Sequence, residues 1–178
     1  VCSSDLTGTI NDNETAPSFS VSAAAPVTEG NALVFTVTRN RDSDQAQTVE
    51  FSTVAGTAAA GTDFTAQGAT LTFNPGTLTQ TVTVATIDDN VFDSAGAENF
   101  RLTLANASLG GSIAAGTATG IINDNDAAPV YSLAVSGAVN EGTPGAAGEF
   151  TFTVTRDRLS DATQAVDFST ALGGSGDP

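Results

Sequence analysis

The side chains of this chain with the most chemical reach are its carboxylates, and their positions follow a pattern. Glu29, Asp63, Asp88, Asp89, Asp93, Glu98, Asp124 and Asp126 stand at the ends of segments whose apolar residues alternate, rather than along them. Glu29 precedes such a segment, Asp88-Asp89 ends one, Glu98 opens the next and Asp124 ends the last. In an antiparallel sandwich alternate loops converge at one pole, so this order gathers the acids at one end. Carboxylates held within a few ångströms destabilise one another unless a proton or a cation intervenes. Calcium takes about six to eight oxygens from flexible loops, magnesium wants fewer and more regular ligands, and zinc wants histidine or thiolate. The chain has no histidine and a single cysteine, Cys2, so the donor set points to Ca2+. Asp and Asn are also turn residues, because their side chains accept backbone hydrogen bonds, and Asp88-Asp89-Asn90 could be a plain turn.

Composition narrows the alternatives. Twenty acidic residues face five arginines and no lysine, for a formal net charge of −15. A nucleic-acid binder needs a basic footprint, and this chain has the reverse. An anionic membrane surface would repel it too, and no apolar run is long enough to insert. Without histidine no Ser–His or Cys–His pair can form. Two carboxylates could perform glycosidic acid–base chemistry, but one tyrosine and no tryptophan leave no aromatic platform for a sugar. The expectation is a non-catalytic protein.

The elements that must position the acids are short strands. Phe19, Val21 and Ala23 alternate with small polar residues. Leu33, Phe35 and Val37 lie in a segment apolar enough to sit between two partners. Val49 and Phe51, Leu71 and Phe73, Val82 and Val84, and Phe100, Leu102 and Leu104 each keep period two, and a last strand runs from about Ala114 to Ile122. Asn74-Pro75-Gly76 is a turn. No stretch shows helical periodicity. About seven strands in roughly 110 residues predict an all-β, immunoglobulin-like, two-sheet antiparallel β-sandwich. Arg39 and Arg156, each closing a strand, are expected to pair with a nearby carboxylate, a small contribution if exposed.

The chain also nearly repeats itself. I-N-D-N at 10–13 returns at 122–125, and Pro17, Phe19 and Glu29-Gly30 return as Pro129, Tyr131 and Glu141-Gly142, an offset of 112. F-T-V-T-R at 35–39 returns at 152–156, and V-E-F-S-T at 49–53 returns as V-D-F-S-T at 166–170, an offset of 117. Five residues have therefore entered the second copy near Thr143. A period this long is a small domain, so the chain reads as tandem domains. Residues 1–16 are expected to be the end of a preceding domain, residues 17–126 a complete one, and residues 127–178 the first half of a following one, cut at Gly176-Asp177-Pro178 and unable to close a core alone. Residues 1–6, V-C-S-S-D-L, back-translate to a sequencing-adapter end. On that reading Cys2 is foreign, and the alternative is ordinary sequence of the preceding domain.

Together the motifs resemble one family. V-T-E-G at 27–30, F-T-V-T-R, V-E-F-S-T followed by G-T-A-A-A-G-T-D-F at 56–64, L-T-F-N-P-G at 71–76, T-V-T-V-A-T-I-D-D at 81–89, E-N-F-R-L-T-L at 98–104 and I-I-N-D-N-D at 121–126 are similar, in order, to the landmarks of the Calx-beta domain. The resemblance implies a β-sandwich whose calcium cluster is built from Glu29, Asp63, Asp88, Asp89, Asp93, Glu98, Asp124 and Asp126. Two positions depart from the family pattern. Glu98 follows Asp93 by five positions, a longer step than usual, so the added loop at 94–96 could carry Asp93 out of reach. Asn123 stands where an aspartate is common, removing a charge and lowering affinity.

Members of this family occur as regulatory calcium sensors of sodium–calcium exchangers and as tandem modules of large adhesion, matrix and bacterial surface proteins. Three successive domains without intervening sequence, and a lysine-free Thr/Ala/Gly-rich composition, lead to the second expectation: a calcium-binding structural and adhesive module of a secreted or cell-surface protein of bacterial type. Its partners would be neighbouring Calx-beta domains of the same chain, with surface-protein or glycan ligands reached through other domains. Calcium affinity would be weak, roughly 10⁻⁴–10⁻³ M. Since Asp126 is followed directly by Ala127-Ala128-Pro129, calcium bound there would stiffen the joint between domains. The alternative is the regulatory sensor of an exchanger-type transporter.

Overall fold

The computed structural model describes residues 14–22, 25–137 and 148–171. The expectations about residues 1–6, Cys2, the first N-D-N run, Glu141-Gly142, the insertion near Thr143 and the final Gly176-Asp177-Pro178 lie outside the described residues. Among the described residues thirteen strands follow in chain order: β1 (Ser18–Ser22), β2 (Val27–Thr28), β3 (Ala32–Arg39), β4 (Gln47–Ala55), β5 (Gly68–Phe73), β6 (Thr79–Ala85), β7 (Val91–Phe92), β8 (Ala97–Ala105), β9 (Ser112–Ala115), β10 (Thr117–Asn123), β11 (Tyr131–Val135), β12 (Phe152–Arg156) and β13 (Leu159–Ser160). They fall into two compact units. One holds the described residues up to Asp88 with Glu98–Asn123; the other holds Asp89–Ala97 with the described residues from Asp124 onward.

The first unit is a β-sandwich. One sheet runs β6-β3-β1-β9 and the other β2-β10-β8-β4-β5. The β3 strand lies between β6 and β1, as its apolar character predicts. Its buried residues Leu33, Phe35 and Val37 alternate with exposed or half-buried ones. Val49 and Phe51 of β4, Val82 and Val84 of β6, and Phe100, Leu102 and Leu104 of β8 complete the core. Two aromatic contacts tie core to loop: Phe100 meets Phe35 edge-on at 5.8 Å and stacks on Phe64 at 4.2 Å. Such pairs contribute about 0.5–1.5 kcal/mol beyond the area they bury.

The single closing strand expected from 114 to 122 is two strands. β9 pairs in parallel with β1, whereas β10 pairs in parallel with β2 in the opposite sheet. The chain changes sheets at Gly116, where a Cβ would stand 2.8 Å from Ile113 Cγ2. Period two continues across the switch, so alternation alone cannot reveal it.

Arg39 pairs with a carboxylate as expected, that of Asp42, but from a buried position, for it is only 1% exposed. Its register opposite Phe19 points it inward, like Val37 two residues earlier. Nη2 pairs with Asp42 and donates to the Asn74 carbonyl at 3.2 Å, while Nη1 reaches Gln47 Oε1 at 3.5 Å. The guanidinium therefore closes the sandwich floor by tying the loop after β3 to the Asn74-Pro75-Gly76 turn. Asp42 also accepts from the Gly76 and Ser43 N–H groups, at 2.8 Å each to Oδ1. Those donors, with Arg39 beyond them, hold its carboxyl below the usual range.

In the second unit β11 pairs antiparallel with β12, and β13 pairs in parallel with β7. Tyr131 stands opposite Arg156 and Leu133 opposite Val154, matching Phe19 opposite Arg39 and Val21 opposite Val37 in β1 and β3. The burial does not match. Leu133, Val135, Phe152 and Val154 are exposed and Phe168 is 87% exposed, whereas Phe35 and Val37 are fully buried.

Candidate metal centre

The site begins at the β2–β10 pair. Its register sets Ile122 beside Val27 and Asn123 beside Thr28, and the Glu29 N–H donates to the Asn123 carbonyl at 3.0 Å. One step further along each strand come Glu29 and Asp124. Glu29 is 8% exposed, a burial a carboxylate tolerates only with compensating charge or hydrogen bonds. The all-oxygen donor set of Glu29, Asp124 and Asp126 suits a hard divalent cation such as calcium. Backbone hydrogen bonds preset Asp124: Oδ2 accepts from the Asp93 N–H at 3.0 Å and Oδ1 from the Asp126 N–H at 2.8 Å.

Gly30 shapes the turn that carries Glu29. Its φ is +76°, and a Cβ there would lie 3.0 Å from Asp88 Cβ. Glycine alone meets both demands, and its bareness lets Asp88 approach the turn. Asn31 closes the same turn by donating from Nδ2 to the Thr28 carbonyl at 3.0 Å, and Thr86 Oγ1 donates to the Asn31 carbonyl at 2.6 Å.

The other sequence-predicted ligands are distributed around this group. Asp88 is exposed beside the Glu29-Gly30 turn. Asp89 accepts the Val91 N–H at 2.7 Å, the arrangement of a plain Asx turn. Asp93 reaches the group through its backbone, because the loop at 94–96 folds back: Gly96 donates to the Asp93 carbonyl at 2.9 Å and accepts from the Asp124 N–H at 3.3 Å. Glu98 opens β8, half-buried. Asp63 accepts the Ala59 N–H at 2.6 Å, which turns its carboxylate onto its own loop, while its carbonyl accepts from Ile87 N–H at 2.9 Å. Fully buried Phe64 pins that loop against the core. The role of the Asn123 carbonyl was not visible in the sequence, since a backbone acceptor carries no residue signature.

Comparison with known proteins shows the family. The Calx-beta domain family matches residues 11–126. The sodium/calcium exchanger Calx of Drosophila melanogaster is 38% identical over 98 residues, which are 54% of this chain and 10% of that protein. Among solved structures, the apo-form Calx CBD1 domain aligns with a TM-score of 0.57 and 31% identity, covering 63% of this chain and all of that one. The calcium-binding domain CBD12 of CALX1.1 aligns at 0.55 and 34%, covering 60% of this chain and 44% of that one. The chain thus spans about a tenth of the curated relative it matches. These findings correct the extracellular, bacterial localisation read from composition, since the relatives belong to an animal ion exchanger and not to a secreted bacterial protein. Abundant threonine reflects strand propensity, which carries no information about compartment.

Proposed function

The chain belongs to the Calx-beta domain family, and on that premise we propose that it serves as a non-catalytic calcium-binding module of the regulatory type found in sodium/calcium exchangers. The observation that carries this reading is the Asp124 carboxylate at the end of β10, held in place by the Asp93 and Asp126 N–H groups. Exchanger relatives at 31–38% identity favour the sensor over the structural and adhesive reading. In this proposal Glu29, Asp124 and Asp126 hold the ion, Asp88 adds charge at the Glu29-Gly30 turn, and the Asp93 and Asp126 N–H groups orient Asp124. The ion would neutralise carboxylates that otherwise repel one another, so its binding is linked to the fit of the segment after β10 against β2.

Calorimetric titration of the full chain with calcium tests this. Sensor sites of other folds bind at roughly 10⁻⁷–10⁻⁵ M and extracellular modules at roughly 10⁻⁴–10⁻³ M. An affinity in the first range, lost in Glu29→Gln, supports a sensor, and one in the second returns the structural reading. No heat and no thermal stabilisation at millimolar calcium would sink both.

A further inference from the structure

The loop after β3 and the loop after β12 occupy equivalent positions in the internal repeat, and they share three contacts. Asn40 Oδ1 accepts the Ser18 N–H at 2.8 Å, and Asp157 Oδ1 accepts the Val130 N–H at 2.7 Å. Arg41 donates to the Thr15 carbonyl at 3.1 Å, and Arg158 to the Ala127 carbonyl at 3.4 Å. Gln45 N–H donates to Ser43 Oγ and Ala162 N–H to Ser160 Oγ, both at 3.3 Å. These three contacts are common to both loops, whereas the Asp42 contacts with Arg39 and Gly76 have no counterpart at Leu159.

They differ in what lies beside them. In the second unit, Leu159 and Ser160 pair with Val91 and Phe92, and Asp161 N–H donates to the Phe92 carbonyl at 3.2 Å. The Asp161 carboxylate accepts the Ser94 N–H at 2.9 Å and the Ser94 hydroxyl at 3.3 Å. Thus Asp89–Ala97, which leaves the sandwich after β6 and returns to it at β8, brackets the loop of the following repeat. The equivalent residues in the first unit are Asp42, Ser43 and Asp44. Beside them is an open cleft of about 640 Å3, also lined by Glu14, Thr15 and Leu109. Among the described residues the Asp44 N–H makes no hydrogen bond.

We propose that this cleft is the docking surface for the Asp89–Ala97 segment of another copy of the repeat joined in tandem. The docked segment would add a short parallel strand along residues 42–43, receive the Asp44 N–H on its Phe92 carbonyl, and donate from Ser94 to the Asp44 carboxylate. Leu159 in place of Asp42 is no obstacle, because that side chain is 59% exposed and the contact runs through the backbone and Asp161. The long step from Asp93 to Glu98 thereby acquires a use: it supplies the length that presents Ser94 to the next repeat.

The test replaces residues 1–16 of the full chain with a second copy of residues 17–128, in calcium-free buffer. Amide exchange at Asp44, followed by NMR, should slow roughly tenfold or more relative to the original chain, approaching that of Asp161. In a Cys2-free background, Ser94→Cys in the added copy with Asp44→Cys in the original should be joined by a short thiol cross-linker as readily as a Ser94→Cys/Asp161→Cys pair within the original chain. Unchanged exchange at Asp44, or a 94/44 pair that stays open, would overturn the proposal. So would a 94/161 pair that stays open, because the contact serving as template would then be absent.

Discussion

Asp124 receives N–H groups from Asp93 and Asp126 on its two oxygens, so its carboxylate is aimed before any ion arrives. Asp124→Asn keeps the shape but removes a charge and one acceptor. Its calcium affinity should fall by roughly tenfold or more, measured by titration beside wild type, and ion-free stability should fall by about 1 kcal/mol for the N–H left facing the amide NH2. Asp89→Ala should matter less, because the Asp89 carboxylate already caps Val91. Asp42 offers a contrasting prediction. Its folded-state pKa is depressed, so its contribution to stability is present above the unfolded-state value, about 3.9, and is lost as pH falls through the folded value. The melting difference between wild type and Asp42→Asn should therefore be constant near neutrality and shrink only below about pH 4. A difference that shrank between pH 8 and 6 would contradict this origin.

At the scale of elements, loops find their places because strands bury specific residues. Phe64 is fully buried against Phe100 and anchors the loop bearing Asp63. Phe64→Ala should cost about 3–5 kcal/mol in denaturant unfolding. Gly120 of β10 faces the core, where a Cβ would stand 3.0 Å from the Phe35 ring and 3.1 Å from both Leu33 and the Phe100 ring. Gly120→Val should destabilise by about 1–3 kcal/mol through overpacking. The pairing of β3 between two partners was legible in its alternation, as was the inward row of Phe100, Leu102 and Leu104. The switch of sheets at Gly116 was not, since period two reports which face a residue takes and not which sheet it joins. Acids at strand ends announced a site, and the E-G pair marked its turn. The parallel register of two-residue β2 with β10 is too short to leave a sequence signal. The carboxylate partner of Arg39 was anticipated; its burial follows from its place in the alternation of β3.

At the scale of the molecule, a net charge of −15 makes self-repulsion a general cost of the compact state. Monovalent salt should relieve it modestly through screening. Calcium at matched ionic strength should raise the melting temperature further, by the amount that linkage allows, about 2.7 kcal/mol at a hundredfold excess over Kd. At the same calcium concentration a tenfold weaker Asp124→Asn should keep only about 1.4 kcal/mol of it, and an equal response of both chains would assign the effect to screening alone. The placement of the acids has a mechanical side as well. Strand β10 ends at Asn123, so Asp124 and Asp126 stand on the segment by which the chain leaves its sheet. Tension on that segment displaces them before it loads the β10 hydrogen bonds. By reciprocity, an ion that resists the displacement must bind more weakly under load. Calcium should then raise the force at which β10 peels away in a single-molecule pulling measurement, and the bound ion becomes a clasp whose hold reports the strain on the chain.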